Sequence, residues 1–461
     1  MVTQTSWTKI FKFSLPMTFI GILDLGLILI DFFWIYVLIG NTNAMASVRV
    51  SSSIVVILES VIVAVISALM VYISQHSGAG NLKQARKGIN TAFSFSIYGG
   101  ILMSIIGFLC IPLLIKLFGI NDASRIYIQD YLGMYLVGYV IVALNNLLLF
   151  LPRYFQKITI IYKALGITFA VNFIASPLLM ILFSILHYPV ISGAALGTIL
   201  ANLACSLYLI WKLFLKDFLG IGLSKKDLTI KFKYKLLIEN KNYIGSQVLT
   251  GITFNLSSFL YILILSYYPS NIFNVYALGS YAFTFFGIIA NNFSASLIPM
   301  VSQNAGAKKF DETKELVRRM LMILAIYGFT IAIFIMIARN FIGHILSKEE
   351  NLQVLFSSYF LFYSIPWAFN ILATVFIFVT AGSGDSKGSM ILTIVNMYVL
   401  VITGLLTIPY FFYTMSTGVF FALGMIQILT FLFSMFYYLT GRWTKASLIK
   451  SKEQEEALVS T

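Results

Sequence analysis

Residues 10–39 read IFKFSLPMTFIGILDLGLILIDFFWIYVLI, a run in which Lys12, Asp24 and Asp31 are the only charges. A stretch this long exceeds the roughly 20 apolar residues that cross a hydrocarbon core. It also exceeds the roughly 7–15-residue apolar region of a cleavable signal peptide. No small-residue cleavage site follows it, so the run is expected to persist as a helix. Similar runs recur along the whole sequence. Of 461 residues, 59% are hydrophobic and only 10% are charged, against roughly 25% charged in soluble domains. Inside lipid the backbone must satisfy its own hydrogen bonds, and an apolar run does so as a helix. A membrane β-barrel would show alternating segments of roughly ten residues instead. The fold class is therefore an all-α integral membrane protein.

Twelve spans are expected, at about 10–39, 48–75, 89–118, 127–151, 159–186, 191–214, 236–267, 274–303, 318–345, 354–381, 389–412 and 417–440. They divide into two six-helix lobes, residues 1–215 and 236–445, joined by a basic cytoplasmic linker at 216–235 and followed by a tail at 446–461. Lys and Arg are distributed unevenly between alternate loops. Twenty-six lie on the side that holds both termini, and five (Arg49, Lys116, Arg125, Arg339 and Lys348) lie on the other. Positive loops stay inside, which predicts cytoplasmic termini and an even number of spans. The same placement explains the net charge of +14 without nucleic acid as a partner.

The halves resemble each other. Gln75-His76-Ser77-Gly78-Ala79 follows span two, and Gln303-Asn304-Ala305-Gly306-Ala307 follows span eight, an offset of 228 positions that also maps Tyr131 onto Tyr359 and Tyr135 onto Tyr363. Six is an even number, so both halves insert in the same orientation. A pseudo-twofold axis along the membrane normal should relate them, as in transporters built from parallel repeats.

An ionisable residue within a span is costly and points to function. Of 17 acidic residues, 14 lie in loops, at span ends or in the tail, and three lie deep within spans: Asp24, Asp31 and Glu59. No Lys or Arg lies deep enough to pair with them. Asp24 and Asp31 are seven positions apart, which places them on one helix face about 10 Å apart along the axis. Such carboxylates suit the binding of H⁺ or Na⁺, or simply tie helices together as protonated, hydrogen-bonded acids. Asn145, Asn146, Asn172, Ser176 and Thr198 supply neutral oxygens within spans four to six, for a cation or for interhelical hydrogen bonds. The second half has Gln247, Asn255, Asn291 and Asn292 but no intramembrane acid. Tyr276, Tyr281, Phe283, Phe285 and Trp367 could line a cavity or face lipid. Cys110 and Cys205 sit in apolar runs and imply no disulfide framework or metal cluster. No phosphate-binding, zinc or nucleophile-elbow motif is present, which argues against an enzyme and against a built-in ATP motor.

The chain resembles the multidrug and toxic compound extrusion (MATE) family over nearly its full length. Leu15-Pro16, Asp31 with Gly40, Gly78-Ala79-Gly80-Asn81-Leu82 and Ala85-Arg86 carry the resemblance in the first half, with Asn172, Ser176-Pro177 and Gly193-Ala194-Ala195. Pro299, Gln303-Asn304, Gly306-Ala307 and Ala381-Gly382-Ser383-Gly384-Asp385 carry it in the second. The resemblance implies a central cavity and antiport of cationic or amphipathic organic compounds against H⁺ or Na⁺ by alternating access. Asp31 takes the position of the coupling carboxylate, with Asn172, Ser176 and Thr198 beside it. Asp24, Glu59, Asn145, Asn146 and Gln247 are the expected cavity and substrate residues. Two departures stand out. Ser176 replaces an Asp found in many members, and Asp24 stands where an amide is usual. The resemblance further implies a monomer in the cell membrane with no organic cofactor, and no metal apart from Na⁺ at Asp31. A flippase for lipid-linked saccharides is the rival within the wider superfamily, and a membrane-embedded enzyme or scaffold is the rival outside transport.

Overall fold

The computed structural model describes residues 7–117, 122–228, 231, 234–446 and 448–449, apart from some side chains within helices, those of Asp24 and Asn255 among them. Among the described residues the regular structure is entirely helical. The first half contains α1 (Trp7–Leu38), α2 (Thr42–Gly78), α3 (Leu82–Leu117), α4 (Asp122–Val137), α5 (Tyr139–Tyr154), α6 (Thr159–Ile185) and α7 (Val190–Ile210). A short α8 (Lys235–Glu239) precedes α9 (Lys241–Leu265), α10 (Ser270–Ala295), α11 (Leu297–Gly306), α12 (Phe310–Leu346), α13 (Glu350–Ser383), α14 (Ser386–Ile394), α15 (Leu400–Thr407) and α16 (Met415–Leu439).

Each of the twelve expected spans coincides with a helix or a pair of successive helices. Among the described residues, nine helical stretches are long and apolar enough to cross a membrane, and α4 with α5 makes a tenth. The remaining two spans are the 32-residue α1 and the 25-residue α9. This is a multi-pass membrane fold.

Span four is the departure from a straight-helix expectation. It bends by 58° between Val137 and Tyr139. The break falls at Gly138, where an added Cβ would lie 2.5 Å from three side-chain carbons of Ile199 on α7. Only a residue without a side chain lets α7 approach here, and the chain kinks where the glycine weakens the helix. The bend gives α4 and α5 separate directions.

The chain forms two compact units, Phe19–Val248 and a second that combines the residues up to Thr18 with those from Leu249 onward. These boundaries lie within α1 and α9, whereas the sequence places the junction of the halves at 216–235. In the second unit the first turns of α1 are held by polar and aromatic contacts. The hydroxyls of Ser14 and Ser296 are 2.6 Å apart, Phe11 meets Phe293 edge-on at 6.0 Å, and Arg319 lies 5.0 Å over the Trp7 ring. Its core is aromatic: Phe283 packs against Tyr363 at 4.8 Å and Trp367 at 5.3 Å. Tyr281 and Phe285, in contrast, are exposed on the helix surface.

In the Phe19–Val248 unit, α6 and α7 form an antiparallel pair in near backbone contact. A Cβ on Gly193 would lie 2.6 Å from the Met180 nitrogen, and one on Gly197 would lie 2.6 Å from Ser176 Cα. Small residues four apart allow this approach, as in many membrane helix pairs. After α7 the chain is tied down by Asp217, whose carboxylate accepts the backbone N–H groups of Ile221, Gly222 and Leu223 at 2.8–3.3 Å.

Gly197→Leu should wedge α7 away from α6 and destabilise the protein by about 1–3 kcal/mol through overpacking. The expected result is a lower unfolding temperature for the purified protein in detergent. Gly245→Ala, where an added Cβ meets nothing within 4 Å, should leave that temperature unchanged or slightly raised.

Candidate functional site

Asp31 is 7% exposed and lines a cavity of about 170 Å³ wholly within the Phe19–Val248 unit. The α6–α7 contact decides what surrounds it. The close approach aligns Asn172 and Ser176 on α6 with Thr198 on α7. Thr198 Oγ1 donates to Asp31 Oδ2 at 2.9 Å, with the Ala194 carbonyl a more distant acceptor at 3.3 Å. Asn172 Nδ2 donates to Thr198 Oγ1 at 3.2 Å, and Ser176 Oγ donates to Asn172 Oδ1 at 3.0 Å. The result is a relay of hydroxyls and an amide ending on the carboxylate. A second donor reaches the same oxygen from α4, the Tyr131 hydroxyl at 3.3 Å. Oδ1 of Asp31 is buried and has no hydrogen-bond partner.

Glu59, half-buried on α2, lines the same cavity. Its Oε1 accepts from the Tyr135 hydroxyl at 3.2 Å. Tyr131 and Tyr135 stack one helical turn apart, with centroids 6.4 Å apart and planes 15° from parallel. Thus one face of α4 presents two hydroxyls, each to a different carboxylate on a different helix. Leu27, Val48, Val55 and Val56 supply its apolar wall and Ser52, Thr168 and Asn202 further polar groups, with no Lys or Arg among the lining residues. Two acidic groups in such a cavity have no protein cation to balance them. Burial of an unpaired ionised carboxylate is strongly unfavourable, so the arrangement favours protons or small cations in the cavity.

The structure brings together Asp31, Glu59, Asn172, Ser176 and Thr198. Asn145 joins them at one remove. It donates to Asn202 Oδ1 at 2.7 Å and accepts from Ser206 Oγ at 3.3 Å, while Asn202 donates to the Thr198 carbonyl at 2.8 Å. Asn146 is half-buried on α5, and Gln247 is half-buried on α9; neither lines this cavity. The Asp24 side chain lies outside the described residues. Tyr131, Tyr135 and Asn202 emerge as further site residues. Their signal in the sequence is a spacing of four: Tyr131 with Tyr135, and Thr198 with Asn202 and Ser206, each set on one helix face. Among the described residues, no group of three or more His, Cys, Asp or Glu gathers to hold a metal.

Thr198→Val should remove the shorter bond to Asp31 and the acceptor for Asn172. A hydrogen bond to a charged group contributes about 1.5–3 kcal/mol, so the unfolding temperature in detergent should fall, and Thr198→Ser should restore it.

Comparison with known proteins places these features in a family. A family model described as MatE matches residues 16–186 and 247–407. The sequence has no significant match among curated proteins. Solved structures match throughout. The Vibrio cholerae MATE transporter VcmN in its bent form is 18% identical, with a TM-score of 0.81, 95% of this chain and 96% of that one being covered. A MATE protein in the bent conformation matches at 15% identity and a TM-score of 0.82, with 95% and 96% covered. An outward-facing multidrug resistance MATE transporter of the MOP superfamily matches at 16% identity and a TM-score of 0.79, with 96% of each chain covered. At these identities the structures speak for the fold, twelve helices in two lobes, while the family model extends over most of the sequence. The chain belongs to the multidrug and toxic compound extrusion (MATE) family of transporters.

Proposed function

We propose that the protein is a secondary antiporter that exports cationic or amphipathic organic molecules in exchange for H⁺ or Na⁺, with Asp31 as the coupling carboxylate. The observation that carries this reading is the buried Oδ1 of Asp31, which has no hydrogen-bond partner, on a residue that lines a cavity with hydroxyls, two amides and a second acid. A proton or Na⁺ at that oxygen neutralises a charge that hydrocarbon surroundings penalise. Thr198 and Tyr131 hold the other oxygen, so the carboxylate is oriented whether or not the ion is present.

A cation that binds one conformation more tightly than another shifts the balance between them by its differential affinity alone. Alternating access follows when the cation favours one face being open and the organic substrate favours the other. Asp31 lies on α1, a single helix from Trp7 to Leu38 whose first turns belong to the other unit. The outward-facing conformation named for one related transporter fits such a cycle. The flippase alternative gains no support from a cavity with two acids and no basic lining residue.

The energetics suit the role. One monovalent cation entering down about 100 mV releases roughly 2.3 kcal/mol. A tenfold ion gradient adds about 1.4 kcal/mol. Together these sustain a substantial gradient of a neutral substrate. Residence in the cell membrane, cytoplasmic termini, a monomeric state and the absence of an organic cofactor complete the proposal.

The experiment is efflux of ethidium from proteoliposomes under Na⁺ and pH gradients imposed separately. One of them should drive uphill movement in the wild type, and Asp31→Asn should abolish it while ethidium still equilibrates. Undiminished gradient-driven efflux by Asp31→Asn would remove Asp31 from the mechanism.

A further inference from the structure

The Asp31 cavity contains one acid more than the coupling scheme uses. Glu59 enters from α2 rather than α1 and is held by its own tyrosine, Tyr135, not by the Thr198 relay. The two tyrosines donate to separate carboxylates. They lie one turn apart on α4, so one helix face presents a hydroxyl to each carboxylate. Each also keeps an oxygen outside its tyrosine bond. Oδ1 of Asp31 is buried without a partner, and Glu59 uses only Oε1 in its bond to Tyr135.

Cavity size narrows the ligand. Organic ligands occupy pockets of roughly 300–1,000 Å³, and this cavity has about 170 Å³. It has room for small ions with a few waters, but not for a drug-sized molecule alongside them. Its mixed wall of carboxylate, hydroxyl and amide oxygens suits hard monovalent cations or protons. A dehydrated divalent ion would require about six oxygens converging within bonding distance, which two carboxylates anchored to separate tyrosine hydroxyls do not provide.

We infer that Glu59 with Tyr135 forms a second cation post, so that the cavity takes two monovalent cations, H⁺ or Na⁺, in each transport cycle. The inference rests on the proposal that Asp31 binds the first. It has a transport consequence. One cation exchanged for a singly charged organic cation moves no net charge, so the membrane potential does no work on the exchange. A second cation brings the potential to bear. Under about 100 mV and a tenfold ion gradient it raises the attainable substrate gradient about 500-fold.

The test is a cation count on the purified full-length protein in detergent. Equilibrium dialysis with radioactive Na⁺ at alkaline pH is one arm, and indicator-dye measurement of proton uptake in Na⁺-free buffer is the other. Wild type should bind two cations per chain in whichever arm reports binding, and Glu59→Gln should bind one. Tyr135→Phe keeps the ring and removes the hydroxyl, so it should bind two with the weaker affinity changed about tenfold. This variant tests the post even if Glu59→Gln fails to fold. One cation per wild-type chain, two in Glu59→Gln, unchanged affinities in Tyr135→Phe, or a single Ca²⁺ that displaces everything else would each overturn the inference. Loss of one cation in Asp31→Asn but none in Glu59→Gln sinks the second post and leaves Asp31 coupling intact. The reverse pattern sinks Asp31 coupling and retains Glu59.

Discussion

A carboxylate removed from water must be neutralised, paired or solvated by the protein, and the Phe19–Val248 unit is organised around that requirement at Asp31. No basic side chain lines its cavity. Neutral donors orient one oxygen and leave the other free. A basic partner would have locked the acid permanently ionised. Hydroxyls and amides leave its charge dependent on what enters the cavity.

The neighbouring helices serve this arrangement through absent side chains. Gly193 and Gly197 bring α7 against α6, and this contact places Thr198 within bonding distance of both Asn172 and Asp31. Gly138 accepts Ile199 and bends span four, giving α4 and α5 separate paths. From these paths α4 meets the carboxylates through Tyr131 and Tyr135, and α5 meets the α7 stripe through Asn145. Ser176 supports the Asn172 amide rather than reaching the cavity itself.

Duplication has preserved positions without preserving chemistry. The offset that pairs Tyr131 with Tyr359 and Tyr135 with Tyr363 pairs Glu59 with Gly287. In the other unit those tyrosines lie in an aromatic core with Phe283, Trp367 and Phe420. The Tyr359 hydroxyl is buried there without a partner. One unit has kept an acid-lined cavity, and the described core of the other is filled by rings.

Helix number, order and approximate limits were legible in the sequence because lipid imposes a strong, local rule: long apolar runs must be helices. Asp31 and Glu59 stood out for the same reason, since an acid within such a run is costly. Asn172, Ser176 and Thr198 stood out as neutral polar residues within spans, and family resemblance set them beside Asp31. The bond from Thr198 to Asp31 joins residues 167 positions apart, and no local pattern encodes it. Asn146 and Gln247 have the same polar character as Asn145, and only packing separates them from the cavity. Tyr131, Tyr135 and Asn202 read in the sequence as ordinary helical residues. Their roles emerge once α4 and α7 are placed against α1 and α2. The sequence by itself determined the membrane-spanning helices and the acids they bury. The tertiary structure decided which donors meet those acids and which oxygen stays free, because hydrogen bonding between helices depends on how closely and at what angle their backbones approach.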